Sequence, residues 1–214
     1  MLPSRLRATP GSEPVNRFPK NGYLIGLAVA VIVVLATLVF GIEPLFAPST
    51  TGDGTATTTS TAYDIAASSI LASAVQRAPA GYAETTSKPL NITEPGFENG
   101  GDAVFATQEG TLANMTILVF GTPSSAQAYM SSVAANAKSL TGYSDISSVL
   151  ASYQRYGACY GFGQDNPFGA GAVATGICTK GNVYIQVHLS AASTLSSVEG
   201  DVSSLVGAAY QGLG

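Results

Sequence analysis

Charged side chains are scarce in this sequence. Asp, Glu, Lys and Arg make up 10% of its 214 residues, against roughly 25% in an ordinary soluble domain. The chain also has one histidine, no tryptophan and two cysteines, and no cysteine precedes Cys159. These shortages argue against a zinc site built from histidine and cysteine, which takes three or four ligands. They also exclude a lipoprotein anchored through a cysteine near the N-terminus.

The few charges are unevenly distributed along the chain. Residues 1–20 hold four basic residues and Glu13, whereas residues 43–214 hold twelve acidic and five basic residues. Nucleic-acid binding requires Lys and Arg to neutralise several phosphates on one face. The acidic balance therefore argues against a nucleic acid as partner.

A long apolar run occupies residues 23–42, with the sequence YLIGLAVAVIVVLATLVFGI. Twenty helical residues span about 30 Å, the thickness of a bilayer's hydrocarbon core. Basic residues precede this run, and the next one is Arg77. The positive-inside bias therefore predicts a single transmembrane helix with the N-terminus in the cytoplasm and the C-terminal domain outside the membrane.

Two other interpretations of the apolar run involve processing. A cleaved signal peptide has a shorter apolar core and small residues before the cut, but Leu45 and Pro48 flank the best site, after Ala47. A pilin-like precursor would be cut near Gly22, but Pro44 and Pro48 would break the helix soon after the run. We therefore expect an uncleaved membrane anchor.

The segments around the membrane helix differ in composition. Residues 1–22 contain four prolines and few apolar residues, which predicts a disordered cytoplasmic tail. Residues 43–62 are rich in Ser, Thr and Gly and predict a flexible stalk. Residues 63–214 then form the extracytoplasmic domain. At the boundary of the tail and the membrane helix, Gly22, Gly26 and Ala30 form a small-xxx-small series that would allow a homodimer.

Periodicity in residues 63–214 predicts an α+β domain. Helical spacing covers residues 63–77, and residues 78–102 are predicted to be rich in loops. Strands at 103–108 and 112–120 are followed by a helix at 123–140, and strands at 172–179 and 183–189 by a helix at 193–213. Short hairpins imply antiparallel pairing, so we expect an antiparallel sheet of two hairpin-plus-helix units with the helices packed on one face.

Alternation within two strands predicts their buried sides. Ala113, Met115, Ile117 and Val119 share one side of the first, and Asn114 and Thr116 lie opposite. In the second strand, at residues 183–189, the branched residues lie on one side and Tyr184, Gln186 and His188 on the other.

Cys159 and Cys178 are predicted to form a disulfide, as an even pair does in an oxidising compartment. If residues 156–162 and 172–179 form a hairpin, the centre of its loop falls midway between the two cysteines. The pair would then lie directly opposite each other, with their Cα atoms closer than about 7 Å.

Several further residues are candidates for modification or binding. Asn91 and Asn114 begin glycosylation sequons, and Asn114 is preferred because it lies on the polar side of its strand. Tyr156, Tyr160 and Phe162 would share one strand face opposite Cys159 and line a groove.

Signals for catalysis are weak. His188 is expected to be an exposed strand residue, and no nucleophile motif accompanies it. A glycine-rich stretch at 169–174 leads into a strand rather than a helix, so a dinucleotide site is rejected. Four acidic residues lie in or beside predicted turns and are best explained as solvated charges: Glu94, Glu98, Asp102 and Glu109.

The sequence therefore predicts a membrane-anchored, non-enzymatic domain that binds or scaffolds an unknown protein or ligand of the cell envelope, with no cofactor and no metal. Two alternatives stay open. One is an extracytoplasmic hydrolase using the loop carboxylates, and the other is a pilin-like filament subunit.

Overall fold

A computed structural model describes residues 62–167 and 171–214 of the chain. They form an α+β domain with one antiparallel sheet of seven strands and three α-helices. A short 3-10 helix, Ser147–Leu150, precedes the fifth strand. The helices are α1 (Ala67–Gln76), α2 (Pro123–Ser139) and α3 (Leu195–Gln211). The strands are β1 (Ala83–Leu90), β2 (Phe97–Ala106), β3 (Leu112–Phe120), β4 (Ser144–Asp145), β5 (Cys159–Asp165), β6 (Ala172–Lys180) and β7 (Val183–Ala191).

The strand order across the sheet is β1-β2-β3-β7-β6-β5-β4. The centre of the sheet is the antiparallel pair β3 and β7, which joins the two predicted hairpins. Short turns connect β2 to β3 and β6 to β7, and Gly181 takes a φ of 59° in the second turn. That backbone conformation costs glycine little because it has no Cβ.

The first face of the sheet packs against α1 and α3. Its core contains the predicted apolar sides of β3 and β7, and Val202 and Leu205 of α3 are completely buried in it. The sheet also caps both helices: Asn99 Oδ1 accepts a hydrogen bond from the Ala67 N–H, and Asp165 Oδ1 accepts one from the Leu195 N–H, at 2.7 and 2.6 Å. These bonds satisfy backbone donors that a helix start leaves unpaired.

The second face packs against α2, so the expectation that the helices share one face is wrong. Ala126, Met130 and Ala134 of α2 are buried with sheet residues of the opposite parity: Leu118, Phe120, Phe162, Ile177 and Tyr184. The physical reason is that the central strands carry large apolar residues on both sides at the end where α2 lies. The two hairpin-plus-helix units therefore place their helices on opposite faces.

Most element boundaries follow the sequence, but the first part of the sheet does not. β1 lies in the predicted loop region, and β2 begins at Phe97 instead of residue 103. β1 is an edge strand whose side chains are nearly all exposed, so it has no apolar alternation to detect. A register shift between Glu84 and Thr86, together with Lys88 and Pro89, limits further pairing along it.

The predictions for the N-terminal segments lie outside the described residues. They concern the tail at 1–22, the membrane helix at 23–42 with Gly22, Gly26 and Ala30, and the stalk except its last residue. Within residues 62–167 and 171–214, no helix has the length and apolar character to cross a bilayer.

Candidate functional site

Helix α2 covers only part of the second face. It packs against the C-terminal end of β3 and the N-terminal end of β7. Beyond it, the same face carries hydrogen-bonding side chains that the described helices leave partly open. We name this set the polar face, and its members are Asp102, Asn114, Thr116, Thr175, Gln186 and His188.

The strand register places the polar face in two adjacent rows. Asp102, Thr116 and Gln186 pair across β2, β3 and β7 in one row. In the next row, Asn114 pairs with His188, and His188 pairs with Thr175. Neighbours within a row are about 5 Å apart, and the rows are about 7 Å apart along the strands. The six side chains therefore form one contiguous polar surface on four strands.

Asp102 is the charged member of this surface and is only 7% exposed. It accepts a hydrogen bond of 2.9 Å from the Thr116 hydroxyl. Burial raises the pKa of this carboxyl, and Thr116, Lys88 and Asn114 act in the opposite direction. Lys88 is its cross-strand neighbour on β1, and the positive charge of Lys88 favours the ionised carboxyl.

Asn114 lies at the centre of the surface and is 7% exposed. Its Oδ1 atom is buried and has no hydrogen-bond partner within the described part of the chain. A buried polar atom left unpaired costs about 1–3 kcal/mol. Native structures keep few such atoms, so this acceptor calls for a donor from outside the described residues.

The side chain of Gln186 is oriented by Tyr184, which lies beneath α2. The Tyr184 hydroxyl donates to Gln186 Oε1 at 2.6 Å, and the Tyr184 ring packs edge-on against Tyr129 of α2, with centroids 4.9 Å apart. With Oε1 engaged, the amide group of Gln186 presents its N–H donors to the open part of the face.

His188 is partly buried, whereas the sequence predicted an exposed residue. Its Nδ1 atom lies 2.8 Å from the Thr175 hydroxyl. Desolvation by the surrounding protein lowers the pKa of His188 to about 4, so the ring is neutral at physiological pH. A neutral imidazole has one N–H donor and one acceptor nitrogen, which adds a polar group but no charge to the face.

This chain shows little similarity to known proteins. No family model and no curated protein matches the sequence. The solved structures that match include the extracellular domain of PknH from Mycobacterium tuberculosis, with a TM-score of 0.46 and 9% sequence identity over 69% of this chain and 92% of that chain. At this level of similarity, residue roles and function do not transfer.

The disulfide lies on the first face, away from the polar face. Cys159 and Cys178 are bonded and directly paired across β5 and β6, with their Cα atoms 4.2 Å apart. The predicted pairing is therefore confirmed, although β5 begins three residues later than predicted. The Tyr210 hydroxyl of α3 lies 3.8 Å from Cys159 Sγ and donates to the Thr179 carbonyl, which places the bond inside the core.

The three predicted groove residues do not line one groove. Phe162 is buried beneath α2, and Tyr160 packs beside it with Lys138 over its ring. Tyr156 precedes β5 and is 47% exposed, with its ring 5.8 Å from that of Tyr210 of α3. Because β5 starts at Cys159, Tyr156 does not share its alternation.

The four acidic residues do not converge either. Glu94 lies in the loop before β2, Glu98 lies at the start of the strand, Asp102 lies within it, and Glu109 lies in the turn beyond its end. Ten extended residues span about 30 Å, so Glu98 and Glu109 are at opposite ends of the strand. Within the described ranges, no three His, Cys, Asp or Glu side chains form a group that could hold a metal ion.

The order of preference for the two sequons is also wrong. Asn91 is exposed in the loop after β1, whereas Asn114 is buried at the centre of the sheet.

Polar alternation correctly located Asn114, Thr116, Gln186 and His188 on one side of their strands. The alternation could not show that α2 packs on the same side of the sheet and that the polar residues are partly buried, because both depend on where the helix packs.

Proposed function

We propose that this chain is a membrane-anchored, extracytoplasmic, non-enzymatic binding domain whose polar face contacts the ligand. The observation that carries the proposal is the buried, unpaired Oδ1 of Asn114 among partly exposed hydrogen-bonding side chains. The Asn114 Oδ1 atom is covered in this conformation, so a ligand reaches it only after a neighbouring side chain of the polar face moves aside. The ligand would then supply the missing donor, and the neighbouring groups would supply further contacts.

The geometry favours binding over hydrolysis. The loop carboxylates that a hydrolase would use are spread along the length of β2. His188 contacts a threonine hydroxyl, but its depressed pKa makes the imidazole a weak general base at neutral pH. Asp102 interacts with Thr116 and Lys88 instead of orienting the imidazole.

The location outside the membrane is supported by two independent features. The apolar run at 23–42 follows a basic segment, which favours a cytoplasmic N-terminus. The domain itself contains a buried cross-strand disulfide, a bond that persists mainly in oxidising compartments.

Protease added to intact spheroplasts tests this location. With epitopes at both ends of the full chain, we expect the C-terminal epitope to disappear and the N-terminal epitope to persist on a short membrane-bound fragment. The same treatment after detergent lysis should remove both epitopes. Protection of the C-terminal epitope, or a mature N-terminus near Gly22 or beyond Ala47, would contradict an uncleaved anchor of this orientation.

A further inference from the structure

The polar face has almost no net charge. Asp102 is its one acidic group and has Lys88 as a cross-strand neighbour, and the His188 ring is uncharged at neutral pH. A site for phosphate or carboxylate ligands requires Arg or Lys groups directed at the anion. A divalent cation requires several oxygen ligands with more than one carboxylate. The charges present on this face match neither class of ligand.

The hydrogen-bonding groups of the face are mixed and closely spaced. Asn114 Oδ1 is an acceptor, the Gln186 amide offers N–H donors, and His188 and the threonine hydroxyls offer both kinds of group. A hydroxyl group donates and accepts at once. A ligand with several hydroxyls therefore satisfies such a mixed surface without bringing a charge into it.

A peptide fits the surface less well. Extended peptides are commonly bound by adding a strand to a sheet edge, with apolar pockets for alternate side chains. The β1 edge is interrupted by its register shift and by Pro89. On this side of the sheet, Val104 pairs with Asn114, and Ala106, Leu112 and Val173 form the next row. The apolar contacts therefore lie at one end of the polar face and do not alternate along it.

From these observations we infer that the polar face binds an uncharged, polyhydroxylated ligand, a neutral glycan. This inference rests on the proposed binding function and adds the chemical class of the ligand. The amide groups of Asn114 and Gln186 form the principal contacts, and Tyr129 and Tyr184 fix the side of the face next to α2.

Saturation-transfer NMR with the full chain in lipid nanodiscs tests the inference. The probes are the neutral oligosaccharides maltohexaose, mannohexaose and arabinohexaose, the anionic hexagalacturonate, and a neutral hexapeptide of glycine, serine and alanine. We expect transfer to at least one neutral oligosaccharide, and affinity about tenfold weaker or worse in Asn114→Ala and in Gln186→Ala. Asn136→Ala, an exposed position on α2, is the matched control and should bind normally.

The outcomes separate the ligand class from the binding function. Transfer only to hexagalacturonate or to the peptide, weakened by both variants, would overturn the glycan assignment and leave the binding face in place. Transfer to none of the probes, or transfer that both variants leave unchanged, would overturn both proposals. Gln186 is partly exposed, so Gln186→Ala remains informative if Asn114→Ala perturbs the fold, which near-ultraviolet circular dichroism reports.

Discussion

Replacing Asn182 with alanine should destabilise the domain by about 4 kcal/mol, the largest effect that we expect from one polar substitution. Asn182 is 2% exposed in the turn between β6 and β7. Its Oδ1 accepts from the Tyr63 N–H at 2.6 Å, and its Nδ2 donates to the carbonyls of Tyr63 and Phe120 at 3.1 and 2.5 Å. Each backbone group left unpaired costs about 1–3 kcal/mol.

This effect can be measured by urea unfolding of the full chain in nanodiscs, followed by the near-ultraviolet circular dichroism of its tyrosines. Asn182→Asp keeps the acceptor but loses both donated bonds and buries a charge, so it should be at least as destabilising. Asn136→Ala should change the unfolding free energy by less than about 0.5 kcal/mol. A cost for Asn182→Ala below about 1 kcal/mol would show that this side chain does not join the start of the domain to the sheet.

Acidification should destabilise the native state through His188 by up to about 3 kcal/mol between pH 8 and pH 4. The pKa of this group is about 4 in the folded protein, below the value of 6.5 expected in the unfolded chain. The unfolded chain therefore binds a proton first as the pH falls, and the stability contribution is present above pH 6.5 and lost towards pH 4. One pKa unit corresponds to about 1.4 kcal/mol.

Comparison with His188→Gln isolates this contribution, because the other titrating groups are common to both proteins. The difference in unfolding free energy between the natural protein and the variant should shift steadily against the natural protein as the pH falls from 6.5 to 4. Asp102 has a raised pKa and therefore contributes with the opposite sign as the pH falls. A difference that stays constant over this range would contradict a buried, neutral His188.

The features that the sequence predicted correctly depend on local patterns. Alternation in β3 and β7 identified both sides of the central strands. The predicted helix start at residue 123 agrees with that of α2, where the Thr122 hydroxyl accepts from the Ser125 N–H. The cysteine pairing followed from the symmetry of the hairpin about its loop. Which residues pair depends on the centre of the loop and not on where the strands begin, so the later start of β5 left the pairing unchanged.

The errors concern features that depend on tertiary packing. The choice of face for α2 is decided by Phe120 and Tyr184, which meet Tyr129 of the helix and make the second face apolar at one end only. β1 is exposed and gives no periodic signal, and Gly100 and Gly101 in β2 resemble a turn in sequence. A Cβ atom at Gly101 would lie 2.6 Å from the Leu71 side chain of α1, so this glycine leaves room for Leu71 in the core instead of forming a turn.

Only part of the candidate site could be predicted from the sequence, for the same reason. Its side chains could be found as the polar side of two strands, but the unpaired acceptor on Asn114 and the neutral state of His188 result from burial. Burial in turn comes from neighbouring strands that are distant in sequence, such as β2 beside β3.

The most direct test of the binding face is photocrosslinking in intact cells, without any assumption about the ligand. Ser190 is partly exposed on β7, one row beyond His188 and on the same side of the strand. A full chain with Ser190→p-benzoylphenylalanine should give a discrete adduct on irradiation, and Asn136→p-benzoylphenylalanine on exposed α2 should not. Adding Asn114→Ala to the first chain should remove the adduct. Equal crosslinking from positions 190 and 136, or an adduct that persists with Asn114→Ala, would contradict the assignment of the polar face as the ligand surface.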